Sequence, residues 1–67
     1  MLNMSNETRT FLQKNLPAAL EAKKLGEALD LLFELIMDKG FAPPHYYDYN
    51  DFGREAQRAY DDLYLSN

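Results

Sequence analysis

The stretch from Glu27 to Lys39 leaves this chain little choice of architecture. It reads Glu-Ala-Leu-Asp-Leu-Leu-Phe-Glu-Leu-Ile-Met-Asp-Lys. The acids Glu27, Asp30, Glu34 and Asp38 fall three and four residues apart, which sets them on one stripe of a helix. Every other position except Lys39 is apolar. A helix with so wide an apolar surface needs cover around most of its circumference. The spacing therefore predicts a helix over 27–39 that is nearly surrounded and forms the hub of the fold. Gly40 follows where a left-handed residue ends many helices, and Phe41 stands where a residue past such a cap folds back on the helix.

Proline and glycine punctuate the rest. A first helix is expected over 6–15, capped by Ser5 or Asn6, with Glu7 against the positive end of its dipole. Pro17 stops it, since proline has no N–H to give and restricts Leu16 before it. The same proline suits the first position of a short second helix, 17–24, with Gly26 ending that piece or capping the next. The alternative is one long helix kinked at Pro17 and weakened at Gly26. The run Phe41-Ala42-Pro43-Pro44-His45-Tyr46-Tyr47-Asp48-Tyr49 is a loop, its prolines favouring an extended path. The last helix spans 51–65, capped by Asn50 or Asp51. Its buried side is Phe52, Ala56, Ala59, Tyr60 and Leu63, and Glu55–Arg58 and Arg58–Asp62 are spaced for weak ion pairs. Gly53 is tolerable in a first turn, or marks a place where the backbone needs room beside something else. The predicted architecture is all-α: a small bundle of three or four helices in one domain, 1–67, with residues 1–5 frayed and the Pro-Pro-Tyr loop before the C-terminal helix.

Composition narrows the chemistry. The chain has no cysteine, which removes disulfides, thiol catalysis and cysteine metal motifs and fits a reducing compartment. No apolar run approaches the ~18 residues of a membrane span, and the first residues lack the basic and apolar regions of a signal peptide. A cytoplasmic location is expected. The net charge of −4 is unevenly placed. Residues 1–26 hold Arg9, Lys14, Lys23 and Lys24 against two acids. Residues 27–67 hold nine acids against Lys39, Arg54 and Arg58. That balance disfavours nucleic acid, whose phosphates demand clustered cations.

Motifs for catalysis or cofactors do not assemble. Asp48-x-Asn50 resembles the start of a calcium loop, but Phe52 and Ala59 stand where oxygen ligands are needed. His45 is the only histidine, so neither a zinc set nor a di-metal carboxylate site can be completed. Phosphate loops and nucleophile elbows are missing. No cofactor, metal or small-molecule substrate is implied, and the chain is not expected to be an enzyme.

All five tyrosines lie after residue 45, three of them within Tyr46–Tyr49. Tyrosine offers a large contact area with few rotatable bonds and is enriched at protein interfaces. One loop tyrosine and Tyr60 are expected to roof the core. The expected function is a protein-interaction module, a regulator, adaptor or inhibitor of the kind small accessory proteins of bacteria or phages supply. Its surface would comprise Tyr46, Tyr47, Tyr49, Asp48 and Asp51, joined by Glu34 and Asp38. The alternative is an obligate homodimer that covers an apolar third helix too wide for one small chain. A nucleic-acid binder built on Lys14, Lys23 and Lys24 is a weaker one.

Overall fold

A computed structural model describes residues 2–67. Among them the chain forms four α-helices and no strand: α1 (Asn6–Asn15), α2 (Pro17–Leu20), α3 (Leu25–Lys39) and α4 (Asp51–Ser66). The all-α bundle read from the sequence is the fold that forms. The helices close a ring in which α1 lies beside α2 and α4, and α3 beside α2 and α4, while the backbones of α1 and α3 stay apart across the core. Leu12, Ala19, Ala28, Leu32, Ile36, Ala56, Ala59 and Leu63 point into the ring and make the core.

The expectation of a nearly surrounded α3 is corrected by this arrangement. Only α4 and the single turn of α2 lie against it. Its buried residues are Ala28, Leu32 and Ile36, whereas Phe33 and Met37, in successive turns, remain 54% and 57% exposed. Among the described residues no further helix lies over them.

The N-terminal half breaks at Leu16, whose backbone leaves the helical region at φ −154°, and Pro17 opens α2 as predicted. α2 is shorter than expected, ending at Leu20 with Glu21 as its cap. α3 correspondingly starts early. Lys24 is its N-cap, so Gly26 lies inside the first turn rather than between helices. A methyl group at Gly26 would meet nothing within 4 Å. Gly26→Ala is therefore expected to stabilise the protein by about 0.5–1 kcal/mol, since alanine loses less backbone entropy in a helix. Thermal denaturation should show a midpoint raised by about 4 °C.

The chain ends are joined. The Asn3 N–H donates to Asn67 Oδ1 at 3.1 Å and Asn67 Nδ2 returns a bond to the Asn3 carbonyl at 2.9 Å. Leu2 and Met4 pack against the core, so residues 2–5 are tied down where fraying was expected; Met1 lies outside the described residues. Ser5 caps α1 through its Oγ, which accepts from the Thr8 N–H. The Ser5 N–H in turn donates to Asp62 Oδ2 at 2.8 Å.

Asp62 is thus engaged with α1 rather than with Arg58, and neither ion pair expected along α4 forms. Among the described residues the ion pair is Arg54–Asp51 at 3.0 Å, exposed and worth little. The Ser5 N–H, followed by the Thr8 hydroxyl, holds the Asp62 carboxyl below its ordinary value of 3.8. A carboxyl that gives up its proton more readily when folded adds stability above the ordinary value and loses it as pH falls through the lower, folded one. Asp62→Asn should cost about 1 kcal/mol at neutral pH, the scale of one hydrogen bond to a charged group in a partly solvated place. Urea denaturation should show the gap between variant and wild type closing below about pH 3.8.

The joint between α3 and α4 sets the rest. Gly40 follows α3 at φ −92°, ψ 0°, so it is not the left-handed cap that its position suggests. What it supplies is nearness. Gly40 and Gly53 are both buried, and a methyl group on Gly53 would lie 2.8 Å from the Gly40 carbonyl carbon and 2.9 Å from its Cα. Asn50 locks this contact from three sides. Its N–H donates to the Gly40 carbonyl at 2.9 Å. Its Oδ1 accepts from the Gly53 N–H at 2.7 Å, capping α4, and its Nδ2 donates to the Lys39 carbonyl at 2.8 Å, closing the end of α3.

Candidate interaction surface

The loop between α3 and α4 is pinned at its neck. Phe41 and Tyr49 form an isolated antiparallel bridge, and the Ala42 N–H donates to the Asp48 carbonyl at 2.8 Å. Above the neck the Tyr46 N–H reaches back to the Ala42 carbonyl at 2.9 Å. The two prolines therefore sit in a closed turn, not on the extended path that their sequence favours. Tyr46 has φ +60°, a left-handed conformation that is costly for a residue with a bulky side chain and that persists only when its surroundings impose it.

The three loop tyrosines divide. Tyr49 stacks on Phe41 with ring centres 5.1 Å apart and donates from its hydroxyl to Gln57 Oε1 at 3.1 Å. It is the least exposed of the three, at 37%. Tyr46 and Tyr47 are 61% and 84% exposed, and Tyr47 stacks on His45 at 5.6 Å. Asp48 is exposed. Asp51 is also exposed but held by Arg54. Glu34 and Asp38 are exposed on α3; among the described residues no hydrogen bond or ion pair joins either to the loop.

A second exposed feature lies on the helices. α1 covers one flank of α4, touching it through Phe11 on Phe52, whose ring centres are 5.5 Å apart, and through Ser5 on Asp62. Among the described residues no further helix lies on the opposite flank of the α3–α4 pair, where Phe33, Met37 and Tyr64 are exposed, so that flank is bare. The two helices run back along each other from the Gly40–Gly53 contact. Counting an equal rise per residue along both sets Tyr60 level with Phe33 and Tyr64 level with Leu29. On α3 the stripe Leu29, Phe33, Met37 recurs every fourth residue, which keeps it on one side of the helix. On α4 the bare side carries Gln57, Asp61 and Tyr64, where Gln57 Nε2 donates to Asp61 Oδ1 at 3.0 Å. Tyr64 is 62% exposed, while Leu29 and Tyr60 are half-buried against the core. The result is an apolar strip of Leu29, Phe33, Met37, Tyr60 and Tyr64, with Tyr49 on Phe41 near the loop end.

The sequence pointed to the tyrosines but not to Phe33 and Met37. The available signal was the excess of apolar positions on α3 over what a few short helices can cover. A shallow groove of about 150 Å³ on the other flank, between α1 and α4, is lined by Glu7, Thr8, Phe11, Glu55, Arg58 and Ala59 and is mixed in charge. Among the described residues no three His, Asp or Glu side chains gather where one metal ion could be shared. No helix of the described residues is long and apolar enough to cross a membrane. No protein-family model, curated protein or solved structure matches the chain.

Proposed function

We propose that this protein is a non-enzymatic interaction module, a regulator, adaptor or inhibitor that works by occupying a partner's surface in the cytoplasm. The observation that supports this reading is the bare flank of the α3–α4 pair. Single exposed apolar residues are ordinary, but a contiguous apolar patch rimmed by polar groups is the usual signature of a binding surface. Phe33 and Met37 stand exposed in successive turns, with Tyr60 level with Phe33 across the helix pair and the exposed Tyr64 one turn beyond it. Tyr46 and Tyr47 at the loop tip extend the aromatic surface, and Asp48, Asp51, Glu34 and Asp38 supply charge around it.

A homodimer is the second reading, supported by the same exposure of Phe33 and Met37. Capture from source-cell lysate separates the two. Wild type is compared with Phe33→Ser/Met37→Ser and with Tyr46→Ala/Tyr47→Ala, each shown by circular dichroism to keep its helices. A heterologous protein retained by wild type and lost from either variant supports the module. Capture of nothing but further copies of the chain supports the dimer.

A further inference from the structure

From the charge around the strip we infer that its occupant is a basic amphipathic helix of another protein. This inference rests on the interaction-module reading and specifies the partner. Leu29, Phe33 and Met37 are flanked on α3 by Asp30, Glu34 and Asp38, three of the four exposed acids of that helix. Asp61 stands on the α4 side and Asp48 near the loop end. Arg54, the cation nearest this flank, is already paired with Asp51. The other cations lie elsewhere: Arg9 and Lys14 on α1, Lys23 and Lys24 before α3, Arg58 in the groove toward α1, and Lys39 at the end of α3, two residues past Met37 and so on the other side of that helix.

An apolar strip between acidic borders is complementary to a segment with apolar residues in the middle and Lys or Arg on either side. The strip follows the seam of two antiparallel helices, and the eight steps from Leu29 to Met37 span about 12 Å. That length takes two turns of a helix anchored at i, i+3 or i+4, and i+7. A second copy of this chain fits less well. A two-fold axis sets the same patch on both sides of an interface, so the acidic borders of Asp30, Glu34 and Asp61 from both copies would share one interface, and like charges brought together oppose binding.

The test uses three labelled helical peptides of about eighteen residues, long enough to be helical when bound. One has leucine on one face and lysine elsewhere. The second has glutamate for the lysines. The third keeps the lysines and has glutamine for the leucines. Fluorescence anisotropy with the intact protein at low salt should show the Leu/Lys peptide binding at least roughly tenfold more tightly than either control. Phe33→Ser/Met37→Ser should weaken it by a similar factor while keeping the helices by circular dichroism, because both side chains are more than half exposed. Asp30→Asn/Glu34→Gln should weaken it several-fold, and added salt should do the same by screening.

Equal binding of the glutamate peptide overturns the basic partner. Equal binding of the glutamine peptide overturns docking on the strip, leaving charge alone. A dimer in light scattering that Phe33→Ser/Met37→Ser dissociates shows the strip covered by a second copy and also overturns the inference. If the peptides fail while capture from lysate still depends on Phe33 and Met37, only the basic partner falls and the module reading stands. If both fail, both fall.

Discussion

Gly53→Ala is expected to remove a large share of the protein's stability. The added methyl group has nowhere to go. It would meet the backbone of Gly40, 2.8 Å from the carbonyl carbon and 2.9 Å from the Cα, and backbone cannot rotate aside as a side-chain tip can. Relief requires α3 and α4 to part at their tightest crossing, which also stretches the bonds that Asn50 makes on both sides. Overpacking of this kind costs about 1–3 kcal/mol where neighbours are soft, and here about 3 kcal/mol or more is expected. A domain of this length has roughly 3–10 kcal/mol in total, so the loss is a large share. Urea denaturation followed by circular dichroism should show it. Gly26→Ala, the same chemical change where a methyl group meets nothing, moves stability the other way. That contrast separates a steric role from the general dislike of glycine in helices.

Asn50→Ala should cost about 2–3 kcal/mol. The change removes the cap of α4, worth about 1 kcal/mol or more, and the donor to the Lys39 carbonyl, worth about another. It leaves the Gly53 N–H and the Lys39 carbonyl without these partners. Asn50→Asp isolates the two functions. It retains an oxygen for the Gly53 N–H but loses the amide that closes α3 and sets a negative charge beside a carbonyl. Its expected loss at neutral pH is smaller than that of alanine yet well above zero, and it should shrink when the carboxyl is protonated. Chemical denaturation of both variants at neutral and acid pH checks this. If aspartate proved as stable as asparagine, Asn50 would be an N-cap only.

These two positions also show what a sequence discloses and what it withholds. Punctuation was legible. In capping or breaking helices Ser5, Pro17 and Asn50 act on backbone within a few residues, so the bounds of α1 and the start of α4 follow from residue type and spacing, whereas the bonds of Asn50 to Lys39 and Gly40 do not. Gly40 was misread for a physical reason. A glycine after a helix serves equally well for left-handed backbone or for close approach of another chain segment, and only the position of Gly53 in space decides. The helix α3 was overfilled for a related reason. Its composition states how much apolar surface it carries, but whether Phe33 and Met37 are covered depends on how much chain remains to cover them. α2 ends after one turn and α1 is drawn to α4 by Asp62, so that flank stays bare. Three tyrosines around Pro43 and Pro44 were visible as an unusual cluster. Their division into Tyr49, stacked and hydrogen-bonded, and Tyr46 and Tyr47, exposed, depends on the bridge at the loop neck, a pairing between residues eight apart that no local pattern announces.

The most direct measurement is site-specific photocrosslinking in source cells, with a benzophenone amino acid placed at Phe33 and, in a control, at Glu21 on the exposed far side of α2. If the bare flank of α3 and α4 is the interaction surface, irradiation yields a discrete adduct to a different protein from position 33 and none from position 21. No adduct from position 33, or the same adducts from both positions, would contradict it.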